Sequence, residues 1–266
     1  MDRNTKIITR LHEDYMYLKS LGYKVFGVFL QGSQNYNLDY KGSDIDTKAI
    51  VLPTLDDIIL NTPATSTTLI KEDNSHIDIK DIRIMWDCFK RQNINYLEIL
   101  FTDFDIVSSN YEDIWNVMRD NAEGIAHYDN YKAVNCIAGV VREKEKALCH
   151  PYPTLKDKID KYGYDNKQLH HIIRCREFLE RYIDGVPYKD CLIPTDTKFL
   201  IDVKSRYLYS KEEAVNISQQ LLRECEVMKN NYINTHTQTI NENVGNLMQE
   251  QLCKAIKLSI MEDIRE

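Results

Sequence analysis

No uninterrupted apolar run in this chain of 266 residues approaches the roughly 20 residues that an α-helix needs to cross a bilayer, so no membrane partner is expected. The opening stretch MDRNTKIITR lacks the apolar core of a secretory signal, and a cytoplasmic location follows as the expectation. The seven cysteines are irregularly spaced and form no C-x-x-C, which argues against a disulfide framework and against a zinc ribbon. They read as reduced packing residues. An excess of positive charge is missing too. The formal net charge of −7 excludes a surface coated for nonspecific DNA binding, but leaves room for a local basic patch and is silent on short RNA or small substrates. Internal repeats, low-complexity tracts and long flexible linkers are also absent.

What is present is concentrated in one segment, KVFGVFLQGSQNYNLDYKGSDIDTKAIVLP, beginning at Lys24. An apolar run, Val25 to Leu30, stops at a polar Gly32-Ser33 turn. After a loop, a second apolar run opens with Asp44 and Asp46 and ends at Pro53. This run reads as a strand that begins with both aspartates, and alternation puts them on one face while Ile45 and Thr47 point away. Paired carboxylates repel and resist burial, and a hard divalent cation is the simplest relief. Mg²⁺ takes one or two carboxylates together with water and phosphate oxygens. The Gly32-Ser33 turn complements this, because glycine lets backbone approach a phosphate and the N–H groups and hydroxyl can hold it. Lys48 shares the face of Asp46 and suits a supporting role, pairing with a carboxylate or touching a phosphate.

Elsewhere the periodicity predicts a helix over 5–20 ending at Gly22, a short helix over 54–60, and a hairpin of Thr65 to Ile70 with His76 to Ile82 around the loop Glu72 to Ser75. The second arm carries Asp78, with Asp81 as its competitor for the role of third carboxylate. A helix over 83–93 with Ile84, Met85, Cys88 and Phe89 on one face precedes the apolar element Tyr96 to Phe101. Helical patterns then run over 111–121 and 127–149, from an Asp165 cap to Gly185, from a Ser210-x-x-Glu213 capping box to about Asn230, and from Asn241 to Ile264. Lys167, His171 and Arg174 fall at i, i+4 and i+7, placing three basic side chains on one helical stripe. That stripe suits a triphosphate. The adjacent His170 and His171 point about 100° apart on a helix and have no third ligand at zinc spacing. Tyr36 and Asn37 are plausible nucleotide neighbours, equally explained as turn residues.

The Gly-Ser turn followed by Asp-x-Asp between two apolar runs, with a third carboxylate on a nearby strand, resembles the signature of the DNA polymerase β-like nucleotidyltransferase superfamily. The run Gly163-Tyr164-Asp165-x-Lys167-x-x-x-His171-x-x-Arg174, with Asn93 to Phe101, is similar to a bacterial and phage branch that includes enzymes associated with RNA repair. Ile94 and Gln168 depart from the branch, which usually shows proline and often histidine there. The resemblance covers most of residues 24–209. It implies an α+β fold, with a polymerase β-like palm of mixed sheet and flanking helices over 1–108. A helical domain over 109–266 would pack on the palm and complete the active site.

By the same resemblance, the activity expected is transfer of a nucleoside monophosphate from a nucleoside triphosphate, ATP by preference, to an acceptor hydroxyl, with two Mg²⁺ or Mn²⁺ ions. Asp44, Asp46 and Asp78 would be catalytic and metal-binding. Gly32, Ser33, Lys167, His171 and Arg174 would bind the nucleotide. The acceptor stays open, with an RNA end slightly favoured by the basic residues of 156–181. The alternatives are an antitoxin-like enzyme that adenylylates a partner protein and a catalytically silent nucleotide-binding protein.

Overall fold

The computed structural model describes residues 2–40, 42–72 and 75–265. Helix α1 (Arg3–Ser20) starts where the Asp2 carboxylate accepts the Thr5 N–H at 3.0 Å, and the chain leaves it through Gly22 at φ +87°. Strand β1 (Lys24–Gln31) runs into a 3₁₀ turn (Gly32–Tyr36), and strand β2 (Asp46–Leu52) returns beside it. Helix α2 (Leu55–Ile59) opens with a capping box between Thr54 and Asp57. Strands β3 (Ser66–Ile70) and β4 (His76–Asp81) form the expected hairpin, of whose loop Asp73 and Asn74 lie outside the described residues. After α3 (Ile82–Lys90), α4 (Ile94–Leu97) and a short 3₁₀ turn comes β5 (Asp105–Val107), a strand the apolar pattern does not announce.

The strands make one mixed sheet in the order β3-β4-β2-β1-β5. Strands β2 and β4 are parallel, with Lys48 opposite Asp78, and the other pairs are antiparallel. One face, carrying Val28, Leu30, Ala49, Val51, Ile77 and Ile79, packs on Ile7, Leu11 and Leu18 of α1. On the other face Phe26 and Phe29 meet Trp86 and Trp115. The buried side of α3 is therefore Ile82, Met85, Trp86 and Phe89, so Ile84 and Cys88 stay half-buried at its margin.

Helices α5 (Glu112–Asp120) and α6 (Ala122–Ala126) belong to this same sheet-bearing unit. So does the last helix, α13 (Glu242–Arg265): the Trp86 indole donates to the Met248 carbonyl at 2.8 Å, the Ser259 hydroxyl to the Pro53 carbonyl at 2.8 Å, and Lys24 pairs with Asp263 at 2.6 Å. The unit comprises Met1–Asn35, Lys41–Tyr128 and Asn241–Glu266, so the division falls after Tyr128 rather than at 108 and the C-terminal helix returns to the sheet.

The second unit is Tyr36–Tyr40 with Asp129–Ile240. It contains α7 (Asn130–Ala147), α8 (Lys156–Tyr162), α9 (Asn166–Ile183), α10 (Tyr188–Leu192), α11 (Thr197–Ser205) and α12 (Lys211–Thr235). Asp165 caps α9 by accepting the Lys167 N–H at 3.2 Å, and Ser210 with Glu213 forms the expected capping box of α12. Leu148, Tyr164, Leu169, Val203 and Ala214 form a buried cluster there. The segment 36–40 is held by Leu38, wholly buried, whose carbonyl accepts from Lys204 at 3.5 Å.

Candidate active site

In the sheet-bearing unit, β2 begins at Asp46, so Asp46 and Lys48 share a face but Asp44 precedes the strand. Asp44 is exposed and makes no hydrogen bond or ion pair among the described residues. The expected strand-borne pair is thus half strand and half loop. The Asp46 carboxylate accepts the His76 N–H at 3.0 Å, and the His76 ring lies 3.3 Å from the same oxygen. Asp78 and Lys80 lie on the corresponding face of β4, because Lys48 and Asp78 are register partners in adjacent strands. Asp81, the last residue of β4, is committed elsewhere: it caps α3 by accepting the Arg83 N–H at 2.8 Å and pairs with the Arg83 side chain at 2.7 Å.

Asp78 is the centre of a charge cluster. One carboxylate oxygen takes a short hydrogen bond from Lys48 and the other lies 3.0 Å from Lys80, which also donates to the Ser66 hydroxyl at 2.9 Å. Burial pushes the Asp78 carboxyl up, but the charge and hydrogen bond of Lys48, helped by Lys80, outweigh it and hold the group below the ordinary carboxylate value. Lys48 is 2% exposed, and burial draws its ammonium down despite Asp78. Its Nζ also sits 4.1 Å from the centre of the Tyr96 ring, a cation–π contact. Desolvation, followed by the Asp78 charge, pushes the Tyr96 hydroxyl up to about 12. The sequence reading singles out neither Lys80 nor Tyr96 for this site: alternation in β4 is the signal that puts Lys80 beside Asp78, whereas Tyr96 has no local signal that ties it to Lys48.

The Gly32-Ser33 turn has the backbone expected of it. Gly32 has φ +78° and open space where a Cβ would stand. Its N–H is directed at the buried Glu98 carboxylate at 3.3 Å, an acceptor that sequence reasoning did not foresee. The Ser33 hydroxyl makes no hydrogen bond among the described residues.

The basic stripe lies in the helical unit, on α9. Lys167 is exposed, His171 half-buried and Arg174 buried. Burial, and then the nearby His170 and the cations Arg174, Lys167 and Lys144, push the His171 imidazole well below its ordinary value. His170 is buried with Nδ1 3.0 Å from the Leu200 carbonyl, and desolvation brings it down to about 3. The Arg174 guanidinium stacks on Tyr36, with Cζ 4.2 Å from the ring centre.

Compared with models of protein families and with curated proteins, the sequence matches none.

Among the described residues no group of three or more His, Cys, Asp and Glu stands close enough together to hold a metal ion. Asp44 and Asp46 are hard oxygen donors open to solvent, and their chemistry fits one Mg²⁺ completed by water and phosphate. Asp78 does not fit a second ion in this arrangement, since both its oxygens are committed to lysines.

Proposed function

We propose that the chain is a nucleotidyltransferase with a polymerase β-like palm, moving a nucleoside monophosphate from a nucleoside triphosphate, ATP by preference, to an acceptor hydroxyl. The observation that carries this reading is the shared sheet face of Asp46 and Asp78 on adjacent parallel strands, with Asp44 exposed just upstream. The motif Gly32-Ser33 before Asp44-x-Asp46 supports it.

Asp44 and Asp46 would hold a Mg²⁺, which supplies charge neutralisation on the triphosphate when bound. In the transfer, the acceptor oxygen attacks the α-phosphorus, the bond to the bridging oxygen breaks, and pyrophosphate leaves with that electron pair. Asp78, kept ionised by Lys48 and Lys80, takes the proton of the acceptor hydroxyl. Lys48 is a positioning residue for it. The Gly32 N–H and Ser33 hydroxyl hold phosphate oxygens, for which the Gly32 N–H must exchange Glu98 for the ligand.

One observation favours a second reading, a catalytically silent nucleotide-binding protein: the two lysines already neutralise the carboxylate that would do proton transfer. Label transfer from each α-labelled nucleoside triphosphate, with Mg²⁺ or Mn²⁺, into an RNA pool and into total cell protein separates these. Label in RNA that disappears in Asp44→Ala/Asp46→Ala is the expected result. Aspartate-dependent label in protein would make this a protein-adenylylating enzyme. Nucleotide binding without label in RNA, protein or small molecules would leave the silent reading.

A further inference from the structure

Along α13 the buried side is Val244, Gly245, Met248, Gln251, Ala255 and Ser259, an apolar stripe interrupted twice by polar groups. Ser259 is accounted for, since its hydroxyl donates to the Pro53 carbonyl at 2.8 Å. Gln251 is not: it is 3% exposed, and its side-chain amide makes no hydrogen bond among the described residues. In the same unit the buried Gln92 donates to the Phe89 and Ile125 carbonyls at 2.8 and 2.7 Å. Taking an amide out of water without a partner is costly, and such a group calls for an explanation where it stands.

Gln251 lies on the wall of a cavity of about 410 Å³ between α5 and α13, lined entirely by residues of the sheet-bearing unit. Neither atom of its amide is sealed from solvent, in contrast to Gln92 Oε1, so the amide opens into the cavity. Ile114 and Val117 of α5 and Leu258 of α13 supply the apolar surface, and Leu258 remains 38% exposed at the mouth. Lys254 and Lys257 stand one turn apart on the rim. Lys254 lies 2.9 Å from Glu250, and Lys257 is exposed with no acidic partner among the described residues. The other two polar groups have roles in the fold: Asn110 donates to Glu262 at 2.7 Å, and Asp113 is in the first turn of α5, where a carboxylate suits the helix dipole. Small-molecule sites span roughly 300–1,000 Å³ and combine apolar walls with a few convergent polar groups, which is the composition here.

We propose that this cavity binds a small amphipathic carboxylate, its apolar body against Ile114, Val117 and Leu258 and its head taken by the Gln251 amide and the Lys254 and Lys257 ammonium groups. A carboxylate accepts from the amide N–H and from an ammonium together. A purely apolar ligand would leave Gln251 as unpaired as before, and a cationic one would meet the two lysines. The site makes no use of Asp46, Asp78 or the Gly32-Ser33 turn, so it stands apart from the nucleotidyltransferase reading.

Calorimetric titration of the full chain with decanoate, with decanol and acetate as further arms, tests it. The wild type is expected to bind decanoate at a single site, decanol more weakly, and acetate not at all. Val117→Trp, which fills the cavity from a half-buried position, should abolish binding of both chains. The double variant Lys254→Gln/Lys257→Gln changes exposed positions only; it should weaken decanoate by about tenfold, the worth of one hydrogen bond to a charged group, and leave decanol unchanged. Gln251→Met should also weaken decanoate while melting no lower than the wild type without ligand, because it removes an amide that has no partner in the fold. Asp113→Asn should tighten decanoate, since it takes a like charge from the rim. No decanoate binding by the wild type, decanol binding as tight as decanoate, or decanoate binding undiminished in the folded lysine, Gln251→Met or Val117→Trp variants overturns the proposal. Nucleotide transfer is not the readout, so a failed transfer assay with decanoate binding intact would count against the reaction and not against this site.

Discussion

Lys48 decides more about the sheet-bearing unit than its place in the sequence suggests. It is the buried cation that keeps Asp78 ionised, and Tyr96 and Asp78 together fill its surroundings. Replacing it with methionine leaves Asp78 with Lys80 alone. Because Asp78 is partly accessible and retains one partner, Lys48→Met should cost roughly 1–3 kcal/mol, less than breaking a fully buried pair, and urea denaturation would read it. Transfer activity should fall along with it, while a Lys48→Arg variant that keeps the charge should recover part of the stability. Alternation alone made the common face of Asp46 and Lys48 legible; that Asp78 joins it follows from the parallel pairing of β2 with β4. The engagement of Asp78 by two lysines was not, since strand pairing across distant segments sets which side chains meet. Asp44 illustrates the opposite case: the pattern extended the strand two residues too far, because strand ends depend on partners rather than on composition.

At the scale of the element, end signals were the most readable feature. Ser210-x-x-Glu213 forms the reciprocal cap it spells, with the Ser210 hydroxyl receiving the Glu213 N–H at 3.2 Å and the Glu213 carboxylate receiving the Ser210 N–H at 2.8 Å. Ser210→Ala should therefore destabilise the helical unit by about 1 kcal/mol, seen as a lower melting temperature, and should leave the sheet-bearing unit's Asp46 chemistry untouched. Strand β5 escaped notice because its three residues are each half-buried and offer no alternation to read. For α3 the periodicity names Met85 and Phe89 correctly but prefers Ile84 and Cys88 to Ile82 and Trp86; the buried Trp86 indole finds the Met248 carbonyl, a partner far along the chain.

For the whole molecule, helical periodicity predicted α13 well but could not say where it packs. Its Asp263 accepts the Leu55 N–H at 2.7 Å and pairs with Lys24, so the sheet-bearing unit is closed by the end of the chain. The histidines of α9 give the chain a pH dependence. With His170 near 3 in the fold against an ordinary 6.5, the unfolded chain binds more protons throughout that interval. Stability should thus fall as pH drops from about 6.5 toward 3, by at most about 1.4 kcal/mol per pH unit from this group, and His171 adds in the same direction. Denaturation midpoints of His170→Gln should depend less steeply on pH over that range than those of the wild type; equal slopes would remove His170 as the cause.

The most direct test of the central claim is the product released from the nucleotide during turnover. Wild-type protein supplied with a nucleoside triphosphate, a divalent cation and an acceptor pool should release pyrophosphate in step with transferred monophosphate. Asp46→Asn, checked for folding by circular dichroism, should lose the release by roughly 100-fold or more. Release of inorganic phosphate in place of pyrophosphate, or pyrophosphate release unchanged in folded Asp46→Asn, would contradict the account.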